Sequence, residues 1–146
     1  METDQLTIGF VCVGNAGRSQ IATAFAERER ERRNLDLTLT TGGTDPADAV
    51  HDHVIQAMAD VGLDLSGRTP RGITHEEVRD CDYVVTMGCD AADVCPAGWE
   101  GDIRDWDLDD PHDAGVDATT VLRDEIEERV VSLFDELEER HQSTAR

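Results

Sequence analysis

Cys12 and Arg18 stand with five residues between them in the run CVGNAGRSQ, and Ser19 follows the arginine directly. That spacing suits the capture and attack of a tetrahedral oxyanion. A loop containing Gly14 and Gly17 can wrap so that the backbone N–H groups of Val13, Gly14, Asn15, Ala16, Gly17 and Arg18 converge on one point. A helix starting there adds its N-terminal donors and dipole. Arg18 can fork two hydrogen bonds onto the anion, and the same positive field favours Cys12 as a thiolate nucleophile. Ser19 is placed to hydrogen-bond the sulfur and steady it as a leaving group, and Asn15 to pin the loop. The competing reading is a small buried hydrophobe at a strand end. Cysteine, two glycines, arginine and serine, each where an anion site needs it, outweigh that reading. A nucleotide-binding loop of the Walker type is excluded, because it needs a lysine and the chain has none.

Three further cysteines lie downstream. Cys81 falls between a predicted helix end and a strand and is expected to be packed. Cys89 and Cys95 sit together in TMGCDAADVCP, in a loop after a predicted strand, and two thiols beside an oxyanion loop point to redox chemistry. Half of a zinc site with His112 is the weaker alternative, since no second paired motif exists. The five histidines show no ligand spacing, and His51 and His53 are expected to be solvated. No metal centre and no cofactor are expected.

These residues need a scaffold, and the hydrophobic pattern supplies one. LTIGFVC (residues 6 to 12) is a predicted strand running into the glycine loop, and a helix after Ser19 carries Ile21, Ala24 and Phe25 inward before stopping near Asn34. LDLTLTT is a second strand. Asp45 or Asp48 is expected to cap a helix with a stripe of Val50, Val54, Ile55, Met58 and Val61, ended by Gly62. Thr74 and Glu77 form a capping-box pattern ahead of the strand DYVVTM, and a fourth strand is predicted from Ile103 to Trp106. Leu122, Ile126, Val130, Leu133, Phe134 and Leu137 share one face of a final helix. Strands alternating with helices at these spacings predict a parallel sheet covered on both faces, in one domain spanning 1–146.

The whole chain has 146 residues, 33 acidic and 13 basic side chains, all of the latter arginine, and a net charge of −20. Such acidity argues against nucleic acid or anionic membrane as partner. It resembles the surfaces of proteins from salt-saturated cytoplasms, where counterions screen self-repulsion. No run of about 18 apolar residues predicts a membrane span, and the N-terminus lacks a signal-peptide pattern, so a cytoplasmic location is expected.

Cys-x5-Arg-Ser near the N-terminus resembles the signature of the low-molecular-weight protein tyrosine phosphatase superfamily. TGGTDP resembles its second strand end, and DDP, with Asp110 and Pro111, its general-acid loop. The resemblance covers essentially the whole chain. It implies an α/β, three-layer fold with a four-stranded parallel sheet and helices on both faces. Within the superfamily, TMGCDAADVCP and WDLDDP resemble the arsenate reductases, and the order Gly88, Cys89 resembles an actinobacterial-type branch in which some members use a low-molecular-weight thiol. The resemblance implies a relay. Cys12 attacks arsenate with Asp110 as acid, Cys89 attacks Cys12 as arsenite leaves, and Cys95 resolves the disulfide for a thioredoxin-like protein or a low-molecular-weight thiol. The alternative it implies is phosphotyrosine hydrolysis by Cys12, Arg18 and Asp110. Phosphatases carry an aromatic residue after Asp-Pro, whereas His112, Asp113, Ala114 and Gly115 follow here. A third reading is a non-catalytic oxyanion-binding regulator. The family's potassium site has an acidic side chain on the first helix, where this chain has Thr23, so that site is not expected.

Overall fold

The computed structural model describes residues 6–88, 94–95, 98–99, 101–108 and 115–144. Strand β1 (Thr7–Cys12) leads into helix α1 (Arg18–Arg32), followed by β2 (Thr38–Gly43), α2 (Asp52–Ala59), α3 (His75–Arg79), β3 (Tyr83–Met87), β4 (Asp102–Asp105) and α4 (Val116–Thr144). The four strands form one parallel sheet in the order β2-β1-β3-β4. The predicted architecture is therefore the observed one.

Period-two alternation assigns the strand side chains to two faces. Ile8 and Phe10 of β1 and Tyr83, Val85 and Met87 of β3 join Ile21 and Phe25 of α1, Val54 and Met58 of α2 and the predicted stripe of α4 in the larger core. Val11 and Val84 point the other way, to Val78 of α3, Cys81 and Val94, with Trp99 packed against them. Phe10 and Trp106 meet with ring centroids 6.2 Å apart.

Helix α1 ends where expected. Asn34 takes the left-handed conformation at φ 54°, Leu35 N–H donates to Arg30 O and Asn34 N–H to Glu31 O, which is the Schellman arrangement. That ending uses Leu35, so β2 begins at Thr38 rather than at the start of the pattern LDLTLTT, in register with Thr7. The box at Thr74 is complete: Glu77 N–H donates to the threonine hydroxyl and Thr74 N–H to the glutamate.

The start of α2 differs from expectation. Neither Asp45 nor Asp48 caps it; His51 occupies the cap position, without a side-chain bond. The physical reason lies in the backbone of 44–51, where the N–H groups of Thr44, Asp45, Ala47 and His51 are committed to the glycine loop. His51 and His53 are likewise not simply solvated: both are half-buried and their rings stack at 5.3 Å.

Order β2-β1-β3 means the chain moves to opposite sides of β1 in successive crossovers. The sheet's switch point thus opens between the C-terminal ends of β1 and β3, where Cys12 pairs in register with Met87. Crevices of this kind are where open parallel sheets bind ligands.

Candidate active site

The loop between β1 and α1 holds its carbonyls outward. Cys12 O accepts from Thr44 N–H at 3.1 Å, Val13 O from Asp45 at 2.9 Å, Gly14 O from Ala47 at 2.9 Å and Ala16 O from His51 at 3.1 Å. Asn15 O accepts from Gln20 Nε2 at 3.1 Å, and Gly17 O from Ile21 N–H at 2.9 Å. In a planar trans peptide each N–H opposes the preceding C=O, so carbonyls tied outward turn the next N–H groups inward. This brace shapes residues 13 to 18 into a cradle of backbone N–H donors. Sequence reading missed its outer half. The available signal was the glycine pair ending β2: a Cβ on Gly43 would stand 3.0 Å from Asn15 N and 3.1 Å from Val13 C, with the Val13 oxygen closer still.

Cys12 is buried at 2 % exposure at the base of the cradle. Asn15, left-handed at φ 51°, sends its N–H to Cys12 Sγ at 3.2 Å, and Ser19 Oγ lies 2.9 Å from the same sulfur. The direction of that second bond follows from its neighbours. Thr41 donates its hydroxyl proton to Phe10 O, so it accepts from Asn15 Nδ2 at 2.9 Å. Arg71 N–H and Gln20 Nε2 both donate to Asn15 Oδ1, which fixes the amide's orientation. The second Asn15 Nδ2 proton goes to Ser19 Oγ at 2.7 Å. Ser19 is left to donate its own proton to Cys12, which therefore receives two hydrogen bonds suited to a thiolate.

Arg18, 6 % exposed, opens α1 and donates from Nη1 to Leu108 O at 3.2 Å. Around the loop the hydrogen bonds connect Cys12, Asn15 and Ser19, with Arg18 beside them, and bring in Gln20, Thr41, Arg71 and Leu108. The side chains of Val13, Gly14, Ala16 and Gly17 contribute little; Val13 is 39 % exposed on the rim. Cys89, Asp110, Pro111 and His112 lie outside the described residues. Cys95 is half-buried against the smaller core, and burial raises its pKa. Cys81 is packed, as expected: burial first, then the carboxylates of Asp82, Asp80 and Glu77 and the Cys95 thiol, push it up to about 12. Trp99 Nε1 donates to Cys81 O. At Thr23 the hydroxyl donates back to Ser19 O at 2.6 Å. No helix among the described residues is long and apolar enough to cross a membrane.

A family model for low molecular weight phosphotyrosine protein phosphatases matches residues 7–143. A Halobacterium salinarum protein that bears the provisional name arsenate reductase is 52% identical over 139 residues, covering 93% of this chain and 96% of that one. Among solved structures, the thioredoxin-dependent arsenate reductase of Corynebacterium glutamicum is 32% identical with a TM-score of 0.74, covering 91% of this chain and 62% of the other. An arsenate reductase in a phosphate-binding state is 28% identical with a TM-score of 0.75, covering 90% and 98%.

Proposed function

The chain belongs to the low molecular weight phosphotyrosine protein phosphatase family, and from that premise we propose that it is an arsenate reductase, converting arsenate to arsenite by a thiol–disulfide relay within a single domain, 1–146. The observation that carries the reading is the hydrogen-bond network in which the Asn15 amide donates to both Thr41 and Ser19 and Ser19 donates on to Cys12, beneath a loop whose carbonyls are all tied outward.

In this reading arsenate sits on the N–H groups of 13 to 18 and on Arg18, which leaves Leu108 O as its alternative partner. The Cys12 thiolate attacks arsenic, Asp110 protonates the departing oxygen, and a Cys12–arsenic(V) adduct forms with loss of water. The Cys89 thiolate then attacks Cys12 Sγ. An S–S bond forms, the S–As bond breaks, and its electron pair stays on arsenic, which leaves as arsenite. Cys95 attacks Cys89 Sγ, forming Cys89–Cys95 and releasing the Cys12 thiolate. A dithiol reductant returns two electrons and two protons. Its raised pKa keeps Cys95 a thiol while it rests against the smaller core, which suits the last thiol to act. The solved relative from Corynebacterium is thioredoxin-dependent, and this supports a thioredoxin-like protein over a low-molecular-weight thiol as reductant. A relay that ends in a reducible disulfide belongs in a reducing cytoplasm.

The family match also favours a second reading, phosphotyrosine hydrolysis by Cys12, Arg18 and Asp110, because the first half of the chemistry is common to both. One experiment separates them: arsenate-dependent oxidation of a thioredoxin system and phosphate release from an aryl phosphate, for the natural chain and Cys95→Ser. The expected result is loss of reductase turnover with any phosphatase activity kept. Equal loss of both, or a natural chain that only hydrolyses the aryl phosphate, overturns the assignment.

A further inference from the structure

Gly88 follows the last residue of β3, at the mouth of the crevice between β1 and β3. Its φ of 85° is one that side chains other than glycine and asparagine rarely take. Conformation is only half of its constraint. A Cβ on Gly88 would stand 2.8 Å from both Cζ and Nη2 of Arg18 and closer still to Nη1. The planar guanidinium therefore lies across the bare backbone of Gly88, occupying the volume that any side chain would fill. The same Nη1 donates to Leu108 O at 3.2 Å. Other glycines with positive φ, Gly62 and Gly98, have nothing within 4 Å of an added Cβ, so they serve the turn alone.

We infer that Gly88 is a positioning residue for oxyanion binding: its missing side chain is what allows the Arg18 guanidinium to lie in the crevice beside the Cys12 cradle. This rests on the reading of Arg18 as an oxyanion ligand. Two fork nitrogens reach an anion only if the guanidinium plane is held at the right depth and angle. The side chain is long and rotatable, and α1 fixes only its Cα. A floor at Gly88 and an acceptor at Leu108 add restraint at the guanidinium end. A methyl at 88 meets three guanidinium atoms at once, so the guanidinium must shift to admit it. That shift comes at the expense of the Leu108 bond and of its aim at the cradle. The two hydrogen bonds to Cys12 stay in place, because they come from Asn15 and Ser19.

The test uses the full chain and inorganic phosphate as probe. Alkylation of Cys12 by iodoacetamide is followed on the Cys12 peptide by mass spectrometry, and the phosphate concentration giving half-protection is measured for the natural chain, Gly88→Ala, Arg18→Lys and the double variant. Loss of a charge-assisted bond predicts that Gly88→Ala raises that concentration about tenfold or more, each variant being read against its own unprotected alkylation rate. In the Arg18→Lys background, which lacks the planar group, the same glycine change should alter it by less than about twofold. Unchanged phosphate binding in Gly88→Ala overturns the inference, as does equal weakening in both backgrounds, which would assign the effect to backbone strain at a left-handed position. If Gly88→Ala does not fold, a folded double variant supports the steric conflict and an unfolded one overturns it. A natural chain that neither phosphate nor arsenate protects would instead remove the reading of the cradle as an oxyanion site, a result distinct from any difference among the variants.

Discussion

Cys12, Cys81 and Cys95 have three different surroundings, and reactivity should follow from them. Cys12 receives two hydrogen bonds at the base of a donor-lined loop, Cys95 is half-buried with a raised pKa, and Cys81 is packed and raised to about 12. At neutral pH iodoacetamide should therefore modify Cys12 before Cys95, and Cys81 only on unfolding, as peptide mapping over time would show. Ser19→Ala removes one of the two hydrogen bonds to Cys12 and should slow its alkylation about tenfold while the fold persists, measured at fixed pH against the natural chain. Cys81 also makes an alkaline prediction. Its folded pKa lies above the usual value of 9.0, so its contribution to stability is complete below pH 9 and is lost as pH rises toward 12, where only the unfolded chain gains by ionising. Urea midpoints measured between pH 8 and 11 should fall more steeply for the natural chain than for Cys81→Ala. Cys12, Arg18 and Ser19 were legible in sequence because one loop carries all three. Gln20, Thr41 and Arg71 were not, since 26 and 56 residues separate Asn15 from Thr41 and Arg71, and nothing local marks Gln20 as a brace.

Helix α3 shows how local signals succeed. Thr74 and Glu77 satisfy each other's backbone groups, and Glu77 also pairs with Arg71 at 2.6 Å, next to the backbone N–H that orients Asn15. Burial alone would raise the Glu77 pKa, but the hydrogen bonds from Arg71 and Thr74 outweigh it and hold the carboxylate below its usual range. Thr74→Ala should cost about 1 kcal/mol in urea unfolding, within the range for lost N-caps. A larger loss of oxyanion affinity than of stability would show that α3 also supports the cradle through Arg71. Helix α2 shows the opposite case. Aspartates before an apolar stripe are good cap candidates, yet Thr44, Asp45, Ala47 and His51 donate their N–H groups to the loop at 2.9 to 3.1 Å, and the helix begins only after these commitments. Local propensity yields there to a tertiary demand made by the loop after β1.

At the scale of the molecule, α1 and α4 are held together by charge as well as by apolar packing. Glu29, with a side chain 5% exposed, accepts from Arg28 and Arg33, which reach across to Glu127, Glu138 and Asp135 of α4. Arg33 is held above its ordinary pKa by these carboxylates even though burial alone would lower it. Glu29→Ala should destabilise by about 1 to 3 kcal/mol, less than breaking an isolated buried pair, because both arginines keep partners on α4. The excess of acids over arginines is uncompensated. A net charge of −20 on 146 residues makes self-repulsion the dominant long-range force, and its range grows as salt is diluted. Thermal midpoints should rise with salt up to molar concentrations, and Glu29→Ala should keep that dependence while shifting the whole curve down. A midpoint insensitive to salt would mean the carboxylates are balanced in a way their number does not reveal.

By itself the sequence determined the class of chemistry and the order of elements, because both are written in short-range pattern: a cysteine, two glycines, an arginine and a serine within a single loop, and alternating two-fold and helical periodicities. Tertiary structure decided what makes the loop a cradle. The carbonyls are drawn outward by the segment that follows β2, the Asn15 amide is oriented by Arg71, and Arg18 is floored by Gly88, which is remote in the chain and adjacent only because β1 and β3 lie side by side. Net charge describes the solvent the molecule meets. The donors that meet Cys12 are the backbone N–H of Asn15 and the hydroxyl of Ser19, and only the fold aims them.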